Sequence, residues 1–368
     1  MASTAKHDWP MVSLLETADD VTRGHKKVPK SAYEEVGSTP IVDQSMDFIC
    51  GYTDEVPTLV SPPYIVFGDH TRELKYIDFP FVPGADGVKV LKPAEGIAPK
   101  FLYFYLKAHP VQELGYSRHF KLLKELAIPL PPLDEQRRIA AILDEVCALI
   151  SKLEKQLSLL ERQDVKVVEK FLASAEYSFK SLSEVCEVNP KTRFPSEFSE
   201  DIQFVPMGAV SESGVLAFTE WRKMDEVRSG YTRFRKFDVL IAKITPCYEN
   251  GKSAVANIDS EFAAGSTEFH VFRCGAEMDP RFLHAVLNST VVRTTGMANM
   301  RGSSGHKRVP AWVFANLKIP VPPIVVQKKL MDSIDEVIEQ KRSSVQEQLQ
   351  SAAELFRSFS TRAFQGEL

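Results

Sequence analysis

One proline-rich hexapeptide occurs twice. Ile128-Pro129-Leu130-Pro131-Pro132-Leu133 returns as Ile319-Pro320-Val321-Pro322-Pro323-Ile324, 191 positions later. The match continues in register: Gln136 corresponds to Gln327, and Leu143-Asp144-Glu145-Val146 to Ile334-Asp335-Glu336-Val337. Upstream, Pro99-Lys100-Phe101-Leu102 corresponds to Pro280-Arg281-Phe282-Leu283 at an offset of 181, so the second copy carries about ten extra residues between the anchors. A period of this length excludes a solenoid, whose units run to roughly 20–45 residues. It dictates a unit of two parts, a globular segment and a long polar-apolar segment joined by a Pro-Pro connector, used twice.

The long segments read as helices. Paired prolines bar a helix from running through them, so the chain enters extended and starts afresh. Asp134 and Glu135 suit the positive end of the first helix. Its apolar stripe runs Ile139, Leu143, Val146, Ile150, Leu153, Leu157, Leu160, Asp164, Val167, Phe171. Gaps of four and three alternate throughout, as in a coiled-coil seam. Without Pro or Gly from 135 to 173, about 40 residues would make a rod about 60 Å long. The second stripe holds Ile334, Ile338, Val345, Leu349, Ala352, Phe356 and Phe359, with Lys341 and Ser344 as interruptions. There Val325-Val326 replaces the acidic pair, a weaker start signal. Neither helix buries its stripe alone, so the two are expected to pair and leave outer faces for a partner, and Gln136 and Gln327 are counted with the stripe as partner-binding or coiled-coil residues.

The globular segments look mixed. Tyr64-Ile65-Val66-Phe67 and Asp238-Val239-Leu240-Ile241-Ala242 suggest strands. Phe101 to Leu106 and Phe282 to Leu287 suggest short helices. Outside the anchors the two segments diverge, which suggests two related readers with different targets. Five widely spaced cysteines (Cys50, Cys147, Cys186, Cys247, Cys274) form no CxxC pair and no zinc spacing. Residues 1–8 carry no apolar run or cleavage signal, and nothing approaches the ~18 apolar residues of a membrane span. A cytoplasmic, soluble chain is expected.

Catalytic patterns are sparse. There is no GxxxxGK[ST], HExxH or GxSxG. Ser61-Pro62-Pro63-Tyr64 resembles the loop with which amino-methyltransferases hold an exocyclic amine and stack a flipped base. A self-contained DNA amino-methyltransferase using Ser61 to Tyr64 is therefore one alternative. It also needs a Gly-rich cofactor loop, and Phe81-Val82-Pro83-Gly84-Ala85-Asp86-Gly87 has the wrong spacing for one. Asp69 and Glu73 beside Lys75 invite a two-metal nuclease reading, but a solvated turn explains them as well.

The basic clusters say more. Formal net charge is −4, which on its face disfavours a nucleic-acid binder. Yet Arg301-Gly302-Ser303-Ser304-Gly305-His306-Lys307-Arg308 has no acidic residue. Its glycines let backbone N–H groups approach phosphates, and its cations can contact phosphates or guanine edges. Around Arg222, Lys243, Asn250 and Lys252, cations interleave with Tyr231, Phe234, Phe237 and Tyr248. In the first segment the candidates are Arg23, Lys26 and Lys27, then His70, Arg72 and Lys75, then Arg118, His119 and Lys121, the last group together with Tyr116 in the place equivalent to the Gly-Ser loop. The bland alternative is a coiled-coil scaffold with solvated charge and no DNA role.

Taken together, the sequence resembles the specificity (S) subunit of Type I restriction-modification systems. The residues that carry the resemblance are 128–139 with their echo at 319–327, Gly265-Ser266-Thr267-Glu268-Phe269-His270-Val271, the loop 301–310, and Phe67-Gly68-Asp69-His70-Thr71-Arg72 followed by Gly84-Ala85-Asp86-Gly87. The resemblance implies an α+β chain: two mixed α/β target-recognition domains (1–132 and 176–322) and two conserved spacer helices (133–175 and 323–368) packed as an antiparallel coiled coil. Each domain would read one half of a bipartite double-stranded DNA site. The helices would set the spacing and dock two modification subunits, which use S-adenosylmethionine. Restriction subunits would add ATP/Mg-driven translocation and cleavage. This chain would hold no active site, cofactor or metal of its own.

Overall fold

The computed structural model describes residues 9–368 apart from 85–86, 114, 116, 161–162, 175, 195–200, 228 and 304. The chain falls into two compact units, Met1–Leu153 with Gln348–Leu368, and Glu154–Glu347. The first long helical stretch occupies Leu133–Leu160 and Gln163–Ala173, the second Ile324–Phe364. Unit 1 thus owns the start of the first stretch and the end of the second, and unit 2 the reverse. Among the described residues, no helix is long and apolar enough to cross a membrane.

The duplication extends to the strands. In unit 1, Met11–Ser13 pairs with Ala127–Pro129; in unit 2, Phe179–Ser181 pairs with Lys318–Pro320. Each opening strand runs into a capping box, Ser13 with Glu16 and Ser181 with Glu184. Unit 1 then builds an antiparallel sheet in the order Ala18–Asp20, Val88–Pro93, Tyr64–Gly68, Leu74–Ile77. Unit 2 matches it with Cys186–Val188, Phe269–Cys274, Val239–Ala242, Ser253–Val255. The central apolar runs Tyr64–Gly68 and Val239–Ala242 are buried along their whole length, which is why they read as unbroken hydrophobic strands. A second sheet in each unit contains one parallel pair, Thr39–Val42 with Val82–Pro83 and Asp201–Val205 with Phe262–Gly265. Unit 2 adds the strand Thr232–Arg235 beside Phe262–Gly265.

The helices Pro99–Ala108 and Pro280–Leu287 lie where the anchor motifs put them. In unit 1, Phe101 and Leu102 share a core with Ile139, Leu143, Ala363 and Phe364. In unit 2, Phe282 and Leu283 share one with Val168, Met331 and Ile334. Within each unit the long helices meet in opposite chain sense: Arg138 donates to the carbonyl of Leu368, and Leu160 and Asp164 line a hollow with Met331, Asp335 and Ile338.

The seam departs from the sequence reading in two places. Val167 is 40% exposed, and Val168 is the buried member. A 3.6-residue helix drifts by about 20° per heptad from a strict 3.5 repeat, so the inward position moves one residue along. In the second helix the half-buried positions run Ile338, Arg342, Val345, Leu349. The spacing of four and three is kept through Arg342, and Lys341 and Ser344 point away from it.

Gln136 and Gln327, expected among the partner-binding or coiled-coil residues, are instead buried clamps. Each side chain makes three hydrogen bonds within its own unit, so neither amide is available to another protein.

Candidate nucleic-acid interface

The Gly-Ser loop of unit 2 folds as a tight hairpin. Arg301 and Arg308 exchange backbone hydrogen bonds of 2.9 and 2.8 Å, and His306 N donates to Ser303 O. Gly302 and Gly305 turn the chain with φ of +131° and +78°, a region that disfavours residues with a Cβ. The hairpin is pinned below by Thr245 N to Lys307 O and Val309 N to Lys243 O. Arg301, Ser303, His306, Lys307 and Arg308 are all exposed, and the Arg301 guanidinium lies over the half-exposed ring of Trp312. Ser304 lies outside the described residues. Arg308 makes a two-pronged ion pair with Glu268 (2.7 and 2.9 Å), which holds the Glu268 carboxyl below its usual range. Lys243, at the foot of the hairpin, donates to the Thr267 carbonyl.

The other unit 2 candidates are more dispersed. Arg222 stacks 3.6 Å above the Phe204 ring and pairs with Glu220. Lys252 reaches the Met207 carbonyl, while Asn250 is exposed beside a hollow that also contains His284 and Arg293. Of the interleaved aromatics, Tyr248 and Phe234 are core, whereas Tyr231 and Phe237 are partly exposed.

In unit 1 the structure gathers Lys27, His70 and Arg118 around one hollow of about 280 Å³, with Thr22, Asp69, Gly87 and Lys89. Lys89 was missed from sequence. It sits in an alternating strand, and only the register Gly68 opposite Val88 brings it beside His70. Arg23 and Lys121 are exposed; Lys26 pairs with Glu55 and Arg72 with Glu113.

Two candidates are withdrawn by burial. Lys75 is 5% exposed and gives its ammonium to the carbonyls of Asp43 and Asp47. His119 is 1% exposed, and its Nδ1 lies 2.9 Å from the Asp69 carbonyl. His119 braces the turn at Asp69, and Lys75 ties its strand to the 43–47 loop. The Asp69 carboxylate accepts from Phe120 N while the Lys75 ammonium is spent on that loop, so the Asp69–Lys75 pairing of the nuclease reading does not form. The Ser61-Pro62-Pro63-Tyr64 motif also resolves structurally. Tyr64 is 6% exposed, packs edge-on against Phe81, and its hydroxyl accepts from Ser61 N. Lys92 covers the ring and bonds to the Ser61 carbonyl. No face is left on which a flipped base could stack, so the methyltransferase alternative loses the residue it rests on.

A buried polar set that sequence did not flag lies in unit 2. His284 Nε2 is 3.0 Å from Ser253 Oγ, which donates to Asn288 Oδ1. Burial drives the His284 pKa down from 6.5 to about 4. The folded unit therefore refuses the proton that the unfolded chain binds below pH 6.5. Stability is expected to fall as pH drops from 6.5 towards 4, by about 3 kcal/mol from this group. Denaturant unfolding at several pH values checks this: a His284→Gln variant should lose that part of the slope, and an unchanged slope would contradict it.

The chain is thus built of two copies of one α+β frame that carry different basic turns. The family described as Type I restriction modification DNA specificity domain matches residues 7–162 and again 175–352. The chain belongs to that family. It is 33% identical over 233 residues to the Type I restriction enzyme EcoAI specificity subunit of Escherichia coli, covering 59% of this chain and 38% of that protein. It is 32% identical over 238 residues to the EcoEI specificity subunit of the same organism, covering 61% and 39%. The chain thus matches about two-fifths of the length of these relatives. A solved chain from work on complex assembly and conformational transition of the type I R-M system superposes with a TM-score of 0.52 over 98% of both chains, at 15% identity, and so shares the fold.

Proposed function

We propose that this chain is the DNA-reading subunit of a Type I restriction-modification assembly and carries out no chemistry itself. Each module reads one half of a bipartite duplex, and the long helices set the spacing and dock two modification subunits. Those subunits hold S-adenosylmethionine; restriction subunits use ATP and Mg. The assembly works in the cytoplasm. The observation that carries this reading is the placement of different basic loops at matching positions of a duplicated frame: the exposed 301–308 hairpin in one module and the Lys27, His70, Arg118 cluster in the other. Net charge of −4 does not oppose it, because the cations are local and the acidic residues Asp134, Glu135, Asp144, Glu145, Asp335 and Glu336 lie on the helices.

Charge reversal at Arg301 and Lys307 together is the direct test. Losing two phosphate contacts should weaken binding by roughly 100-fold and lower the slope of log affinity against log salt by about 1.8. The measurement uses the chain with its modification subunits and a cognate duplex. Unchanged affinity would remove the hairpin from the interface. No preference among duplexes by the wild-type assembly would favour the scaffold reading.

A further inference from the structure

The two modules treat one matching position in opposite ways. In unit 1, Asp69 N donates to Gly87 O and His119 N to Asp69 O; in unit 2, Lys243 N donates to Glu268 O and Val309 N to Lys243 O. The strand registers agree, Gly68 opposite Val88 and Ala242 opposite Phe269. Gly87 therefore corresponds to Glu268, and Arg118, just before His119, corresponds to Arg308. In unit 2 the Glu268 carboxylate sits two-pronged on Arg308. In unit 1 that counter-charge is a glycine, and a hollow of about 280 Å³ opens instead. Four basic side chains from four separate segments line it, Lys27, His70, Lys89 and Arg118, against one acid, Asp69, whose carboxylate accepts from Phe120 N.

The carboxylate of Glu268 shows what this position accepts, an anion with two oxygens facing a guanidinium. The hollow has room for a phosphate group with water around it, at about 30 Å³ per water. We propose that the unit 1 hollow holds a single phosphate of the DNA backbone, in the place that Glu268 fills in unit 2. This rests on the DNA-reading function proposed above. It makes the modules unequal: the first is fastened by a phosphate at this position, and the second has closed the position with its own acid.

The test uses the full chain with its modification subunits. Arg118→Ala and Lys89→Ala should each weaken duplex binding about tenfold and lower the salt slope by up to about 0.9. The methylated sequence should stay the same, because a phosphate carries no base identity. Arg118→Lys should recover part of the loss. In the opposite direction, Glu268→Ala should open a second anion site and steepen the salt slope. Titration of the chain with inorganic phosphate separates the sources. Phosphate binding lost in Arg118→Ala, with duplex affinity unchanged, would overturn the backbone assignment in favour of a free anion. Unchanged duplex and phosphate binding would overturn the site itself while leaving DNA reading intact. Failure of the wild-type assembly to bind any duplex would instead bring down the functional reading, and the backbone assignment with it.

Discussion

Exchange of residues 176–322 for the matching segment of another family member is expected to replace one half of the methylated sequence and leave the other half untouched. The chain enters and leaves this module at neighbouring points, since Phe179–Ser181 pairs with Lys318–Pro320. Its inner core of Val205, Phe234, Leu240, Ala263 and Val271 is its own. Its apolar contact with the helices includes the region where Phe282, Leu283 and Val286 share a core with Val168, Met331 and Ile334. An ion-pair cluster ties the same region down, with Arg281 on Asp332 and Asp335 at 2.8 and 2.6 Å. Unit 1 repeats the tie with Lys100 on Asp144 at 2.6 Å. A graft that preserves Asp279, Arg281, Phe282 and Leu283 should therefore dock as the original does. The expected loss at the original half-site is the full discrimination of a specific over a non-specific sequence, roughly 10³-fold or more. Methylome sequencing of cells carrying the graft and the modification subunit reads both halves at once. A change in both halves, or in neither, would end the two-reader reading.

The duplicated frame was legible because its anchors are chemically stringent. Pro-Pro stops helices, a buried Gln has few substitutes, and a stripe with gaps of four and three has one structural use. Most of the first seam followed from those rules, and the strands at 64 and 239 and the helices after Pro99 and Pro280 from their apolar runs. The seam at Val167 did not, because the drift of a real helix depends on what packs against it. The interface was half legible for another reason. Charge clusters in sequence do not disclose which cations turn inward, so Lys75 and His119 looked like their exposed neighbours. Lys89 was hidden by the reverse effect: a lone lysine in an alternating strand is ordinary until strand register sets it beside His70 and Arg118. The two glutamines were recognised as matching residues, yet their role required knowing that the connector carbonyls fold back over them.

That role yields the second large expected effect, a loss of about 3 kcal/mol of stability in Gln327→Leu. Gln327 is fully buried. Its Oε1 accepts from Asp279 N at 3.0 Å, and its Nε2 donates to the carbonyls of Pro322 and Glu277 at 2.7 and 2.9 Å. Gln136 repeats the arrangement: Oε1 accepts from Ala98 N at 2.8 Å, and Nε2 donates to Pro131 and Gly96 carbonyls at 2.9 and 3.5 Å. Each side chain thus joins the Pro-Pro connector, the loop before the Pro99 or Pro280 helix, and the start of the long helix. Leucine keeps the volume but strands a buried N–H and two carbonyls. Each costs about 1–3 kcal/mol when unmet, less whatever local relaxation recovers. Because the outer bond of Gln136 is long, Gln136→Leu should cost less than Gln327→Leu, and that ranking is part of the prediction. Glutamate separates hydrogen bonding from packing. In Gln327→Glu the protonated acid still accepts from Asp279 N and donates one bond, whereas the carboxylate faces two carbonyls. Its folded-state pKa should rise, so the variant should be least impaired at low pH and lose stability as pH increases above the ordinary glutamate value of about 4.3. Denaturant unfolding and hydrogen exchange at Asp279 N–H measure both effects. A Gln327→Leu protein within 1 kcal/mol of wild type, with that amide still protected, would show that the clamp follows the docking of module on helix and does not enforce it.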